Sequence, residues 1–160
     1  MLTMQNIQAG FAADHDRLDH CLQQFHALKR SDFAGARQHF KEFKVGLQRH
    51  IVWEEQILFP RFEAKTGLHG TGPTEVMRQE HRRIGALLEA VHEKVKRGEP
   101  ESDAEERALL EVLAAHNQKE ECVLYPALDR LLSDAEKAEV FEAMEKLPEE
   151  AYKTCCGGHA

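Results

Sequence analysis

No stretch of this sequence approaches the roughly 20 consecutive apolar residues that a membrane-spanning helix requires. Its first residues, Met1-Leu2-Thr3-Met4-Gln5-Asn6, lack the basic segment and apolar run of a secretory leader, so a cytoplasmic protein is expected. There is no Lys/Arg-rich run either, and a formal net charge of -7 offers little to nucleic acid or an anionic membrane. The expected partner is a small molecule. Cysteine is scarce: of four, Cys21 and Cys122 fall in helical patterns, while Cys155 and Cys156 are adjacent in a Gly-rich tail. That is not a secreted disulfide framework, and the thiols are expected to be reduced.

What the chain does have is histidine, ten in 160 residues, within a composition that is 42% hydrophobic and large enough for one domain with a sizeable core. The stretch from His50 to Pro60 recurs 66 residues later as His116 to Pro126. Each copy places a carboxylate four residues after its histidine, Glu54 after His50 and Glu120 after His116. On a helix that spacing puts a nitrogen donor and an anionic oxygen donor one turn apart on the same face.

Read in order, residues 6–30 carry Phe11, His15, Leu18, Leu22 and Phe25 at alternating spacings of 4 and 3, the seam of a bundle helix. Ser31 or Asp32 can cap a second helix with the seam Phe40, Phe43, Leu47, His50, Glu54 and Ile57. A Gly-rich loop is expected over 65–73, then a third helix capped by Thr74, with Met77, His81, Ile84, Leu88 and Val91 inward. Ser102 to Glu105 has capping-box spacing and opens a fourth helix, whose seam is Leu109, Leu113, His116, Glu120 and Val123 or Leu124. A second box, Ser133 to Glu136, starts a short fifth helix that ends before Pro148. Pro60 and Pro126 should each end or kink a helix, because running through them frees the carbonyls of Gln56 and Cys122. The shift of 66 also carries Phe11 to Met77, His15 to His81, Leu18 to Ile84 and Leu47 to Leu113. A helical hairpin written twice implies an all-α fold: an antiparallel up-down four-helix bundle over 1–148 with a short fifth helix, then a flexible tail over 149–160.

Six polar residues therefore interrupt four apolar seams at matching depth: His15, His50, Glu54, His81, His116 and Glu120. Two buried carboxylates would each cost several kcal/mol unless matched by cations, and no Lys or Arg lies in these seams. A bound cation resolves the conflict; the alternative is that both carboxylates reach water at one end of the bundle. His20, His26, His39 and His92 fall off the seams, His69 lies in the loop and His159 in the tail, and all are read as exposed. Glu55 and Glu121 sit about 100° round the helix from the seam carboxylates and suit the surface or a contact with a ligand better than ligation itself. Asp19 follows His15 by four residues, where it could reach a metal or an imidazole, although a solvated charge is the plainer reading. Trp53 is expected to pack, and Tyr125 to lie near the bundle end without a role.

Four imidazoles and two carboxylates exceed one four-coordinate zinc and include too few oxygens for calcium or magnesium. Two transition metals fit better. If Glu54 and Glu120 bridge both, His15 with His50 serves one and His81 with His116 the other, and an oxo or hydroxo bridge adds a fifth ligand to each. Iron suits this nitrogen and oxygen set, and manganese or a mixed Fe/Mn pair is an alternative.

On Asp14-His15, His50 to Pro60, Glu80-His81 and His116 to Pro126, the sequence resembles the hemerythrin family over roughly residues 6–132, in particular bacterial hemerythrin-like domains with an H, HxxxE, H, HxxxE arrangement. The resemblance implies a four-helix bundle with a non-haem di-iron centre bridged by two carboxylates. Oxygen-carrying members have a fifth histidine one turn after the third-helix ligand, where this chain has Gly85, so both irons keep an open position and oxygen carriage is less secure. The ligand set is similar to that of the iron-sulfur cluster repair group and related iron, oxygen or nitric-oxide sensors. The Cys-Cys pair of the repair proteins belongs to an N-terminal domain, whereas Cys155-Cys156 stand at the other end, so that role is not carried across. The expected function is a di-iron module that binds, senses or processes O2, NO or peroxide. The alternatives are a di-iron peroxidase or NO reductase, and an iron donor for cluster repair; a signalling role would need a partner protein.

Overall fold

Helix α1 (Ile7–Leu28) begins where the Asn6 side chain accepts the Ala9 amide at 2.6 Å, and Asp129 reaches back to accept the Ile7 and Gln8 amides at 2.7 and 3.0 Å. The computed structural model describes residues 6–153, and every regular element among them is helical. Asp32, one of the two expected caps, starts α2 (Phe33–Val52) by accepting the Gly35 amide at 3.1 Å. A π-helical turn over Trp53–Leu58 leads directly into α3 (Phe59–Thr66). Helix α4 (Pro73–Lys96) comes next, then α5 (Asp103–Lys119), a second π turn (Glu120–Leu124), α6 (Tyr125–Leu131) and α7 (Asp134–Lys146). Helix α1 packs on α2, and α4 on α5. Cys155, Cys156 and His159 lie outside the described residues.

Several boundaries differ from expectation for identifiable reasons. Helix α3 persists to Thr66 and stops at Gly67, whose φ of 74° only glycine adopts cheaply, so the loop is shorter than 65–73. Gly72 caps α4 and Pro73 fills its first position, which frees Thr74 to donate its hydroxyl to Glu63 at 2.8 Å instead of capping. Ser102 precedes α5 but forms no capping box with Glu105, because its hydroxyl donates to Glu106 at 2.7 Å. The box at Ser133 and Glu136 does form. Part of the segment expected to fray, Glu149–Ala151, is a turn of 3-10 helix.

The two π turns matter most for the site. In each, an amide reaches five residues back, Phe59 to the Glu54 carbonyl and Tyr125 to that of Glu120. Neither proline ends its helix. Counting five residues back from Pro60 gives the carbonyl of Glu55, and Arg78 Nη2 donates to it at 3.3 Å. One extra residue per turn rotates the remainder of the helix by about 100°. Leu58 therefore replaces Ile57 in the core and Leu124 is chosen over Val123, which is 62% exposed, while Phe59 and Tyr125 turn fully inward.

The core is split into two apolar clusters. One holds Leu18, Phe43, Leu47, Ile84, Leu88 and Leu113, the other Phe11, Leu58, Phe59, Met77, Leu124 and Tyr125. His15 falls between Phe11 and Leu18 along α1, and His81 between Met77 and Ile84 along α4, so the polar seam residues form a layer between the clusters. Buried Lys29 does not neutralise this layer, because it pairs with Glu106, Asp103 and Ser102.

Candidate metal centre

The structure brings all six seam residues together, none more than 4% exposed, with Glu54 and Glu120 fully buried. His15 and His116 point Nε2 at Glu120 Oε1 from 3.3 and 3.2 Å, and His81 points Nε2 at Glu54 Oε1 from 3.1 Å. His50 Nε2 stands 3.7 Å from the same Glu54 oxygen. Ligand-type atoms of Glu54, His81, His116 and Glu120 lie within 4.8 Å of one another, as do those of His15, His50 and Glu120. The imidazoles are paired as the repeat suggests, with ring centroids 4.6 Å apart for His15 and His50 and 4.8 Å apart for His81 and His116.

Behind each imidazole stands a second carboxylate. Nδ1 of His50 donates to Asp14 at 2.8 Å and that of His116 to Glu80 at 2.9 Å; Nδ1 of His15 donates to Glu121 at 2.8 Å and that of His81 to Glu55 at 2.6 Å. Asp14 and Glu80 are repeat counterparts, as are Glu55 and Glu121. Because an ionised carboxylate only accepts, each Nδ1 must carry the hydrogen, which leaves every Nε2 as the atom aimed inward. Glu55 and Glu121 are thus partners of the ligand-type histidines. Asp14 and Glu80 do the same work, and their position one residue before His15 and His81 was the available signal.

Without a cation the layer is electrostatically uneven. Burial raises the Glu54 carboxyl above its usual range and the charge of Glu120 adds to this, whereas hydrogen bonds from Glu54, His116 and His15 outweigh burial at Glu120 and hold it well below. Burial alone would lower the histidines. At His15 the hydrogen bond and charge of Glu120, then Glu54, reverse this and raise it to about 9; at His81 the bonds to Glu54 and Glu55 raise it to about 10. His116 is also raised, by Glu120 first. Glu120 Oε2 is buried with no hydrogen-bond partner among the described residues. A lone pair left bare at the centre of four imidazoles fits a metal ion.

Comparison with known proteins agrees with this donor set. A family model for the hemerythrin HHE cation binding domain matches residues 6–128. The chain belongs to that family. Among curated relatives, the iron-sulfur cluster repair protein YtfE of Salmonella typhimurium is 31% identical over 83 residues, 52% of this chain and 38% of its own length. YtfE of Enterobacter sp. is 34% identical, and that of Escherichia coli O157:H7 32%, over the same number of residues and shares of length. This hemerythrin-like chain thus spans about two fifths of the curated relatives it matches. No solved structure matches significantly.

Within this member of the hemerythrin family, Tyr125 is the residue that sequence reasoning missed. It is fully buried, not at the bundle end, and its hydroxyl lies 2.7 Å from Glu54 Oε2 and 2.9 Å from Glu120 Oε1. The same oxygen is 3.2 Å from His50 Nε2 and 3.4 Å from His15 Nε2. Burial and the charges of Glu120 and Glu54 push the phenol well above its usual range, so it acts as a donor. Its repeat counterpart is Phe59, which stacks on His81 with centroids 5.8 Å apart and offers no hydroxyl. The His15 and His50 half is therefore chemically distinct from the other. Trp53 packs as expected, 6.4 Å from the Phe11 ring and under the Arg49 guanidinium. His20, His26 and His69 are exposed, but His39 and His92 are partly buried, His92 because its ring stacks on Phe40. Asp19 is partly buried and not a freely solvated charge, and His15 Nδ1 is taken by Glu121 instead.

Proposed function

We propose that the chain forms an antiparallel up-down four-helix bundle holding two iron ions, and that it binds, senses or processes O2, NO or peroxide at that centre. The observation that carries the reading is the pair of fully buried carboxylates, Glu54 and Glu120, among four imidazoles, with one Glu120 oxygen unpartnered among the described residues. His15 and His50 would hold one ion and His81 and His116 the other, with Glu54 and Glu120 bridging; manganese or a mixed pair suits the same donors. Iron bound there supplies redox-active positions open to a small ligand.

The protein's own residues then have separable tasks. Asp14, Glu55, Glu80 and Glu121 fix the imidazole tautomers and raise their basicity. The two apolar clusters flank the ligand layer and keep bulk water from it, and Gly85, buried one turn after His81, adds no donor of its own. Tyr125 places an O–H at the His15 and His50 half, and this specific observation favours the enzymatic reading, a peroxidase or NO reductase in which a proton is available beside the centre. The names of the relatives favour the other alternative, iron donation in iron-sulfur cluster repair.

The test is elemental analysis of protein from iron-replete growth, with absorption spectra after anaerobic reduction and then exposure to O2, NO and peroxide. About two irons per chain with ligand-dependent spectra is the expected result. A reproducible single zinc without iron would refute the di-iron reading.

A further inference from the structure

Between the ligand layer and the first apolar cluster lies a cavity of about 10 Å³, walled by Phe43, Leu47, Ile84 and Leu113 together with the histidines. That is room for about one water molecule. Outside it, a groove of about 830 Å³ runs between α1 and α5. Three residues line both spaces: Asp19, Leu113 and Asn117. The repeat shows why this side is open. The counterparts of Asp19 and Asn117 are Gly85 and Ile51, and both of those are buried, whereas Asp19 and Asn117 are partly exposed. On the α2–α4 side the equivalent positions are apolar or glycine and are buried.

Charge is distributed unevenly along the groove. Asp103 and Glu106 are paired with Lys29, and Glu121 accepts from His15. Asp19 makes no hydrogen bond or salt bridge among the described residues, although the His15 charge attracts its carboxylate while those of Asp16 and Glu121 repel it, and it lines both spaces. We propose that small solutes reach the centre from the α1–α5 groove through the opening framed by Asp19, Leu113 and Asn117, and that Asp19 makes this opening selective for neutral molecules over anions. The inference rests on the metal centre proposed above and names its ligand class: uncharged solutes of one or two heavy atoms, such as NO or O2, are admitted, and anions of similar size are slowed.

Stopped-flow association of azide and of NO with the iron-loaded full chain, between about 10 mM and about 0.5 M salt, tests the charge filter. Azide association should accelerate with salt while that of NO stays flat. Asp19→Asn should raise the azide rate about threefold at low salt, the effect of removing one unit charge a few ångström from the path, and leave both NO association and iron content unchanged. Asn117→Leu should slow association and dissociation by the same factor, with the equilibrium affinity unmoved. A wild-type azide rate in Asp19→Asn, or wild-type rates for both ligands in Asn117→Leu, overturns the proposal. A second measurement does not depend on iron. In zinc-loaded protein, dissolved O2 should relax the Leu113 methyl resonances more than those of Leu47, its repeat counterpart, and Asn117→Leu should abolish the difference. Equal relaxation in the wild type would place the route elsewhere even if the di-iron reading stands; loss of iron binding with the relaxation difference intact would sink that reading and keep the route.

Discussion

Loading metal into this centre must expel protons, and the structure says which ones. In the metal-free protein His15 is raised to about 9 and His81 to about 10, so both are imidazolium at pH 7. A ligating Nε2 cannot carry a hydrogen, so both protons must leave. At pH 7 that costs about 7 kcal/mol, from about two and about three pH units at 1.36 kcal/mol each, a large part of the roughly 10–16 kcal/mol typical of structural metal sites. His116, also raised, adds to the release. Loading anaerobic Fe(II) into weakly buffered metal-free protein at pH 7, with an indicator dye reporting pH, should therefore release at least about two protons per chain. The logarithm of the overall affinity should rise by at least about 2 per pH unit until pH passes about 9. Metal-free stability should run the other way. Both folded-state values lie above the unfolded 6.5, so their stabilisation is complete below pH 6.5 and fades as pH rises through about 9 and then about 10. Release of less than one proton per chain, or metal-free stability that rises between pH 7 and 10, would refute the account of the layer.

Three further outcomes are expected. Glu54→Ala or Glu120→Ala should lose both metals together by elemental analysis, because a bridging carboxylate belongs to both positions, whereas His39→Ala should retain them. Tyr125→Phe should keep the fold and the iron but destabilise the metal-free protein by about 1–3 kcal/mol in urea unfolding, since Glu54 loses a buried donor. Lys29→Ala should cost about 1–3 kcal/mol in the same assay, because Glu106 loses its buried ammonium partner while keeping contacts with Ser102 and His26, without changing iron content.

The six polar seam residues were legible because the helical period holds without interruption from the start of each helix as far as Glu54 and Glu120. Each π turn opens at or just before these carboxylates, and extrapolation fails beyond them. A 3.6-residue period continued from Glu120 faces Val123 or Leu124 inward and leaves Tyr125 about 100° away. The inserted residue turns Tyr125 into the site and Val123 out to solvent. Proline was the available signal, since Pro60 and Pro126 posed a question about freed carbonyls that a widened turn answers as well as a kink does. The capping errors have a different origin: Thr74 and Ser102 carry hydroxyls suited to caps, but Glu63 and Glu106, brought near by the fold, take them. Local pattern could not reveal those partners.

A repeat makes its departures informative, because positions that only need to build the scaffold can stay equivalent in both halves. Ligand-type histidines, the two fully buried carboxylates and the outer carboxylates all keep their character under the shift of 66. Three of the pairs that differ bear on the site: Tyr125 against Phe59, Asp19 against Gly85, and Asn117 against Ile51. Tyr125 sets its hydroxyl beside His15 and His50, and Asp19, four residues after His15 on the same helix, stands at the opening to the groove. The polar member of two of these pairs thus lies on the His15 and His50 half, while that of the third, Asn117, comes from α5 to complete the opening. Symmetric donors would hold two ions equivalently, yet the phenol that can donate and the carboxylate that screens approach both favour one half. If two ions are held as proposed, the one at His15 and His50 would be the one this architecture equips to meet an incoming ligand, and the one at His81 and His116, backed by the Phe59 ring, the one it shields.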